Sequence, residues 1–340
     1  MIVEMRKSAT QEEVDGVVQR AKSLKLNVQL NVGTDKTVVA LLGSNTGQLS
    51  SGIFAVLPGV ASVTRIMKPY KLASREFKAM DSLVSINGIE IGGERVVVMA
   101  GPCAVESEEQ LKNAARAVKN AGASILRGGA FKPRTSPFSF QGLEEAGLEL
   151  LEEVSKLYDI PVVTEVVDTH EVELVSKYAA ILQIGSRNMQ NFALLNAVGK
   201  CRCPVVLKRG FACTITEWLT AADYLLAGGN SQVILCERGI RTFEDSARFS
   251  LDICSIPVIK KSSHLPVIVD PSHAAGHYSL VPAIARAAVA AGADGLLIEV
   301  HPNPREALMD GAQSLTPSDF TRLMGELDKV AKSIGRYIQP

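Results

Sequence analysis

Val96-Val97-Val98-Met99-Ala100-Gly101-Pro102-Cys103 is a short apolar run that breaks at a glycine and a proline and ends on a thiol. A strand buried on both faces reads this way, as continuous apolar residues rather than an alternation. The pattern recurs downstream. Residues 125–126 lead to Arg127, 162–163 to Glu165, 181–184 to Arg187, 205–207 to Lys208, 233–235 to Glu237 and Arg238, 267–269 to Asp270 and His273, and 296–298 to Glu299. Helical periodicity follows the runs, at 109–120, 143–156, 170–177, 192–198, 216–226, 246–253, 280–291 and 318–334. Strands alternating with helices build a parallel sheet, and eight such units in about 240 residues close a (β/α)8 TIM barrel of the α/β class. Such barrels carry their active sites at the carboxyl ends of the strands, where the polar residues gather here. The chain reads as an enzyme.

With 340 residues the chain exceeds one barrel by about 90, so a second small domain is expected. Residues 2–5, 28–32, 37–42 and 63–67 read as strands, and 11–24 and 49–57 as helices. In the first helix Val14, Val17, Val18 and Ala21 share a face and Thr10 is positioned to cap it. This is the βαββαβ order of a ferredoxin-like domain. We expect that domain at 1–70 and a linker with a hairpin at 71–94. The hairpin turns on Asn87-Gly88 and is placed at the barrel floor, and the catalytic barrel follows at 95–340.

Lys plus Arg equals Asp plus Glu at 36 each, so no global field draws nucleic acid or an anionic membrane. No apolar run reaches about 18 residues, so no membrane span is expected. Six irregularly spaced cysteines and no charged leader before an apolar stretch point to a reduced, cytoplasmic protein. Cys201 and Cys203 read as small apolar residues rather than half a zinc site.

Against that neutral background Arg127, Lys132, Arg134, Arg187, Lys208, Arg209 and Arg238 all fall at or just after strand ends. Gathering like charges at one rim is unfavourable unless anions answer them, and a phosphate monoester brings about −1.5 to −2 each. The rim therefore suits more than one anionic group, with salt bridges to Glu165, Glu237 or Asp270 as the alternative for individual cations. Cys103, His273, Glu299 and Asp310 come from strand ends one, seven and eight and the loop after the last, which are neighbours in a closed barrel. One thiolate, one imidazole and two carboxylates suit a borderline divalent ion such as Zn, Mn, Fe or Co. His277, past Gly276, reads as part of a loop that also holds His273, and His301 as a neighbour of Glu299. Lys208 as a Schiff-base lysine is redundant beside a metal set.

Taken together, these residues closely resemble the 3-deoxy-D-arabino-heptulosonate 7-phosphate (DAHP) synthases, in the form with a ferredoxin-like front domain. The resemblance spans the chain. It rests on residues 100–103, 126–130, Lys132-Pro133-Arg134-Thr135-Ser136-Pro137, 183–188, Leu207-Lys208-Arg209-Gly210, Cys236-Glu237-Arg238-Gly239, Asp270-Pro271-Ser272-His273 and 298–302. It implies condensation of phosphoenolpyruvate with erythrose 4-phosphate, the first step of the shikimate route to chorismate and the aromatic amino acids. By the same resemblance the metal ligands are Cys103, His273, Glu299 and Asp310. Phosphoenolpyruvate would lie against Arg127, Lys132, Ser186, Arg187, Lys208 and Arg238, and erythrose 4-phosphate along Lys132, Pro133, Arg134 and Thr135. Carbon 3 of the enol would attack a metal-polarised aldehyde, water would add at carbon 2, and phosphate would leave. Lys132 would donate a proton, with His273 or metal-bound water assisting. The resemblance also implies a homotetramer and an aromatic amino acid effector acting through residues 1–70. The rival readings are a 3-deoxy-D-manno-octulosonate 8-phosphate synthase and a catalytically silent sugar-phosphate sensor.

Overall fold

The first unit is assembled from β1 (Ile2–Met5), α1 (Gln11–Ser23), β2 (Asn27–Val32), β3 (Thr37–Leu42), α2 (Gly52–Ala55) and β4 (Val60–Thr64). The computed structural model describes the chain except residues 34–36, 44–45, 47–48, 134–135, 137 and 339–340. Helix α1 starts where Thr10 Oγ1 accepts from the Glu13 backbone N–H while the Glu13 carboxylate accepts from the Thr10 N–H, so two otherwise orphaned donors are satisfied. Its buried Val14, Val17 and Ala21 face an antiparallel sheet of order β2-β3-β1-β4, the ferredoxin-like arrangement. Strand β4 begins three residues before the expected 63–67. The left-handed turn at Gly59 hands the chain directly to Val60, which is buried and pairs with Met5, whereas Met67 lies outside the sheet and is exposed. The second helix is a single turn, shorter than the expected 49–57.

Contacts between Cα atoms divide the chain at Met80/Asp81, with Ser262–His264 grouped with the first unit. The second unit opens with a hairpin, β5 (Val84–Ile86) and β6 (Ile89–Ile91), turned by Asn87 and Gly88 at positive φ. The barrel strands are β7 (Val97–Gly101), β8 (Ile125–Arg127), β9 (Val162–Glu165), β10 (Ile181–Ile184), β11 (Val205–Lys208), β12 (Val233–Glu237), β13 (Val267–Val269) and β14 (Gly295–Glu299). Each pairs in parallel with its neighbours, and β14 closes on β7. Between and after them run α3 (Glu108–Asn120), α4 (Glu144–Tyr158), α5 (Val172–Tyr178), α6 (Phe192–Gly199), α7 (Ile215–Ala227), α8 (Ser255–Ser262), α9 (Pro271–Ala275), α10 (Val281–Ala290) and α11 (Pro317–Ser333). Val84, Ile86 and Ile91 of the hairpin pack into the apolar cluster of Val97, Met99, Ile125, Val163 and Ile234 inside the barrel. Each aliphatic side chain so buried contributes about 1.5–3 kcal/mol. Among the described residues no helix is long and apolar enough to cross a membrane.

Two local expectations fail. Residues 246–253 form no helix, because Ile240 and Ser250 pair antiparallel and spend that segment on a return loop. Helix α8 starts only at Ser255, whose backbone N–H donates to Asp252 Oδ1. His273 is not on a loop but on α9, which Asp270 caps through the His273 N–H and which the left-handed Gly276 ends.

Candidate active site and metal centre

Five of the eight barrel strands end on a charged side chain: Arg127, Glu165, Lys208, Glu237 and Glu299. A strand directs alternate residues inward, so a charged last residue reaches the barrel mouth while its neighbours stay in the core. Cys103 enters from the turn after β7, His273 from the first turn of α9 and Asp310 from the loop after β14. One donor atom from each of Cys103, His273, Glu299 and Asp310 lies within 4.8 Å of every other. Cys103 Sγ is 3.2 Å from Asp310 Oδ2, and His273 Nε2 is 3.4 Å from Glu299 Oε1 and 3.8 Å from Asp310 Oδ2. Burial, then the nearby Glu299 carboxylate, push the Cys103 thiol well up. Glu299 is held down at about 2: burial works against the carboxylate, but His273 and Arg127 outweigh it.

The donor set fits a divalent cation because its geometry is imposed from behind. Asp270 Oδ2 accepts from His273 Nδ1 at 2.7 Å, and a carboxylate can only accept, so Nδ1 carries the hydrogen and Nε2 is left facing Glu299 and Asp310. Glu299 Oε1 accepts from Arg127 Nη1 at 2.7 Å and Oε2 from Gln313 Nε2 at 2.6 Å, which fixes its plane. Arg248 Nη1 lies 3.3 Å from Asp310 Oδ1, and Met309 Sδ lies 3.3 Å from Cys103 Sγ.

Beside this set opens a cavity of about 490 Å³. Arg127, Lys132, Arg187, Lys208 and Arg238 line it, as do Pro133 and Ser186. Lys208 Nζ donates to Asp270 Oδ2 at 2.5 Å, so one buried carboxylate joins a cavity cation to a metal-set imidazole. The Asp270 carboxyl is held well below the usual range; burial opposes this, and His273 and Lys208 overcome it. Lys132 Nζ lies 3.5 Å from Cys103 Sγ, at the border between cations and donor set. Arg238 is 3% exposed and lowered to about 10, chiefly by burial.

The structure thus brings together Cys103, Arg127, Lys132, Pro133, Ser186, Arg187, Lys208, Arg238, His273 and Asp310 around one cavity, with Glu299 behind it. Arg134 and Thr135 lie outside the described residues. Arg209 does not line the cavity and is spent on Glu237 and Asp252, both at 2.8 Å. His277 bonds Ser279 and stands outside the donor set. His301 Nε2 lies 3.3 Å from Glu106, whose other oxygen accepts from the Leu308 N–H, tying down the loop that leads to Asp310. Sequence reasoning did not single out Gln313, Arg241, Arg248, Phe211, Phe249 or Met309, although all but Gln313 line the cavity. Asp270 was legible as a strand-end acid and a candidate partner for a rim cation, which it is for Lys208; its capping of α9 was not, because the residues after it read as a loop.

A closed parallel barrel with a thiol, imidazole and two carboxylates beside a cation-lined cavity at its carboxyl end defines a barrel enzyme for small anionic substrates. Residues 82–334 match the model of the DAHP synthetase I family, and residues 1–68 match that of the DAHP synthase ferredoxin-like domain. The phospho-2-dehydro-3-deoxyheptonate aldolase of Thermotoga maritima is 46% identical over 98% of this chain and 99% of its own length. The crystal structure of that aldolase from the same organism superposes with a TM-score of 0.80 at 45% identity, covering 99% of both chains. More distant is the 2-dehydro-3-deoxyphosphooctonate aldolase of Francisella tularensis, 32% identical over 74% of this chain and 98% of its own. The chain belongs to the DAHP synthetase I family and is a transferase that forms a carbon–carbon bond by aldol-type condensation.

Proposed function

We propose that this enzyme condenses phosphoenolpyruvate with erythrose 4-phosphate in a metal-dependent reaction, the first step toward chorismate. One observation carries the reading: the donor set shares one cavity with five cations, of which Arg187 and Arg238 make no ion pair among the described residues, and Lys132 stands at the border. The 46% identity to a phospho-2-dehydro-3-deoxyheptonate aldolase, against 32% to a phosphooctonate aldolase, favours the four-carbon aldose.

In this reading Arg127, Lys132, Ser186, Arg187, Lys208 and Arg238 hold phosphoenolpyruvate, and Lys132, Pro133, Arg134 and Thr135 hold erythrose 4-phosphate. Cys103, His273, Glu299 and Asp310 hold Zn, Mn, Fe or Co, which when bound supplies Lewis-acid polarisation of the aldehyde. Arg127 and Lys208 are anchored by Glu299 and Asp270, so their positions are set before substrate arrives. Arg187 and Arg238 meet the phosphate charge as it grows on departure. Lys132, whose Nζ lies 3.5 Å from Cys103 Sγ, hands its proton to the developing alkoxide, and Asp270 keeps the His273 Nδ1 hydrogen in place. Residues 1–70 act as the regulatory domain for an aromatic amino acid within a homotetramer.

The test mixes purified protein, a divalent metal and phosphoenolpyruvate with erythrose 4-phosphate or arabinose 5-phosphate and follows loss of the enol. Faster loss with erythrose 4-phosphate is expected. Equal rates, or preference for the pentose, would overturn the assignment.

A further inference from the structure

The cavity holds some of its arginines without carboxylates. Among the described residues the Arg187, Arg238 and Arg241 side chains make no ion pair; Arg238 donates only to the Gly239 carbonyl, at 3.4 Å. Aromatic rings take the place of acids. Phe211, after β11, and Phe249, in the return loop after β12, stack with centroids 5.3 Å apart and planes 8° from parallel. Arg238 lies over both, 3.9 Å from the Phe249 centroid and 5.0 Å from that of Phe211. Arg187 and Arg241 lie over Phe211 at 5.5 and 5.8 Å. All these distances fall within the roughly 6 Å reach of a cation–π contact.

The backbone is shaped to bring the rings there. Gly239 has φ +87°, and a Cβ on it would stand 2.7 Å from the Phe249 Cβ, so the turn after β12 and the approach of Phe249 both require glycine. The Arg241 N–H donates to the Phe211 carbonyl and the Phe249 N–H to the Ala274 carbonyl, which fixes both rings to the rim. A carboxylate partner would occupy the in-plane N–H fork of a guanidinium and cancel its charge. A ring contacts the flat face and leaves the fork and the charge free.

We propose that Phe211 and Phe249 are positioning residues that aim Arg187, Arg238 and Arg241 at a phosphate or carboxylate, and that Arg241 is a further anion-binding residue of this site. The inference rests on the reading of the cavity as the phosphoenolpyruvate site. It explains how the buried Arg238 is kept in place without an ion-pair partner among the described residues, Asp270 and Glu237 acting on it only through their charge. It also makes the strength of anion binding depend on two side chains that carry no charge.

The test measures binding of inorganic phosphate and of phosphoenolpyruvate by calorimetry, with kcat and KM in parallel, for F211L, F249L, F249W and R241Q in the full chain. Losing one ring should weaken phosphate and raise the KM for phosphoenolpyruvate about tenfold. The kcat should fall as well, because Arg187 and Arg238 also meet the charge that grows on the departing phosphate, and F249W should bind as the wild type does because it keeps a π face. R241Q should weaken phosphate binding as F211L does. Wild-type affinity in both leucine variants overturns the proposal, as does equal weakening in F249L and F249W, which would mark the rings as packing alone. If the wild type binds phosphate but condenses nothing, the reaction assignment fails and the ring effect is still decided by the phosphate arm.

Discussion

Asp270→Asn should damage metal binding and stability through one lost charge. The carboxylate is 1% exposed, with Oδ2 accepting from Lys208 Nζ at 2.5 Å and His273 Nδ1 at 2.7 Å, and Oδ1 capping α9 through the His273 N–H at 2.9 Å. An amide can keep the cap, but its nitrogen cannot accept, and Lys208, 4% exposed, is left without a counter-charge. Removing one partner of a buried ion pair costs about 3–5 kcal/mol. Loss of the group that orients a metal-binding imidazole lowers metal affinity roughly 10- to 100-fold. Lys208→Met in the same background should recover part of the stability, because no unpaired ammonium remains, with a coupling of about 0.5–3 kcal/mol. The single tryptophan, Trp218, is buried in α7 and donates to the Leu207 carbonyl, so its fluorescence in denaturant follows the barrel directly. Chelator competition measures the metal. Wild-type metal affinity and stability in Asp270→Asn, or strict additivity with Lys208→Met, would refute the reasoning.

Further outcomes follow from other parts of the molecule. Arg134→Ala should raise the KM for erythrose 4-phosphate far more than that for phosphoenolpyruvate, measured by initial rates; equal effects would remove Arg134 from the aldose site. A chain starting at Asp81 should keep activity and lose any response to tyrosine, phenylalanine or tryptophan that the intact chain shows. Glu171 has a buried Oε2 without a hydrogen-bond partner among the described residues, and burial raises its carboxyl. A raised carboxyl favours the folded state while protonated and loses that favour as pH climbs through the folded value. Glu171→Gln should therefore raise the melting temperature at pH 7 and have no effect below about pH 4.

The barrel was legible because its strands are buried on both faces, so β11, β12 and β14 appear as unbroken apolar runs with their charge at the end. The same rule exposed Arg127, Lys208 and Glu299, the last residues of their strands. Residues whose place depends on loop shape were hidden. Phe249 and Ile253 have helical spacing, yet Phe249 is spent on stacking with Phe211, and the segment 246–253 turns back on Ile240 instead of coiling. Gly276 was read as a loop residue where it ends a short helix. Arg241, Arg248 and Met309 reach the cavity only because return loops fold over the rim, which no spacing in the sequence encodes.

The central claim, that one cavity joins a metal-held aldehyde to phosphoenolpyruvate, is tested most directly by stoichiometry in metal-stripped protein. Chelated enzyme is given phosphoenolpyruvate and erythrose 4-phosphate, then Mn or Zn, and enol loss and phosphate release are followed together. The account predicts no turnover before metal, one phosphate released per enol consumed after it, and no metal rescue in Cys103→Ala. Turnover in excess chelator, or phosphate release without erythrose 4-phosphate, would contradict it.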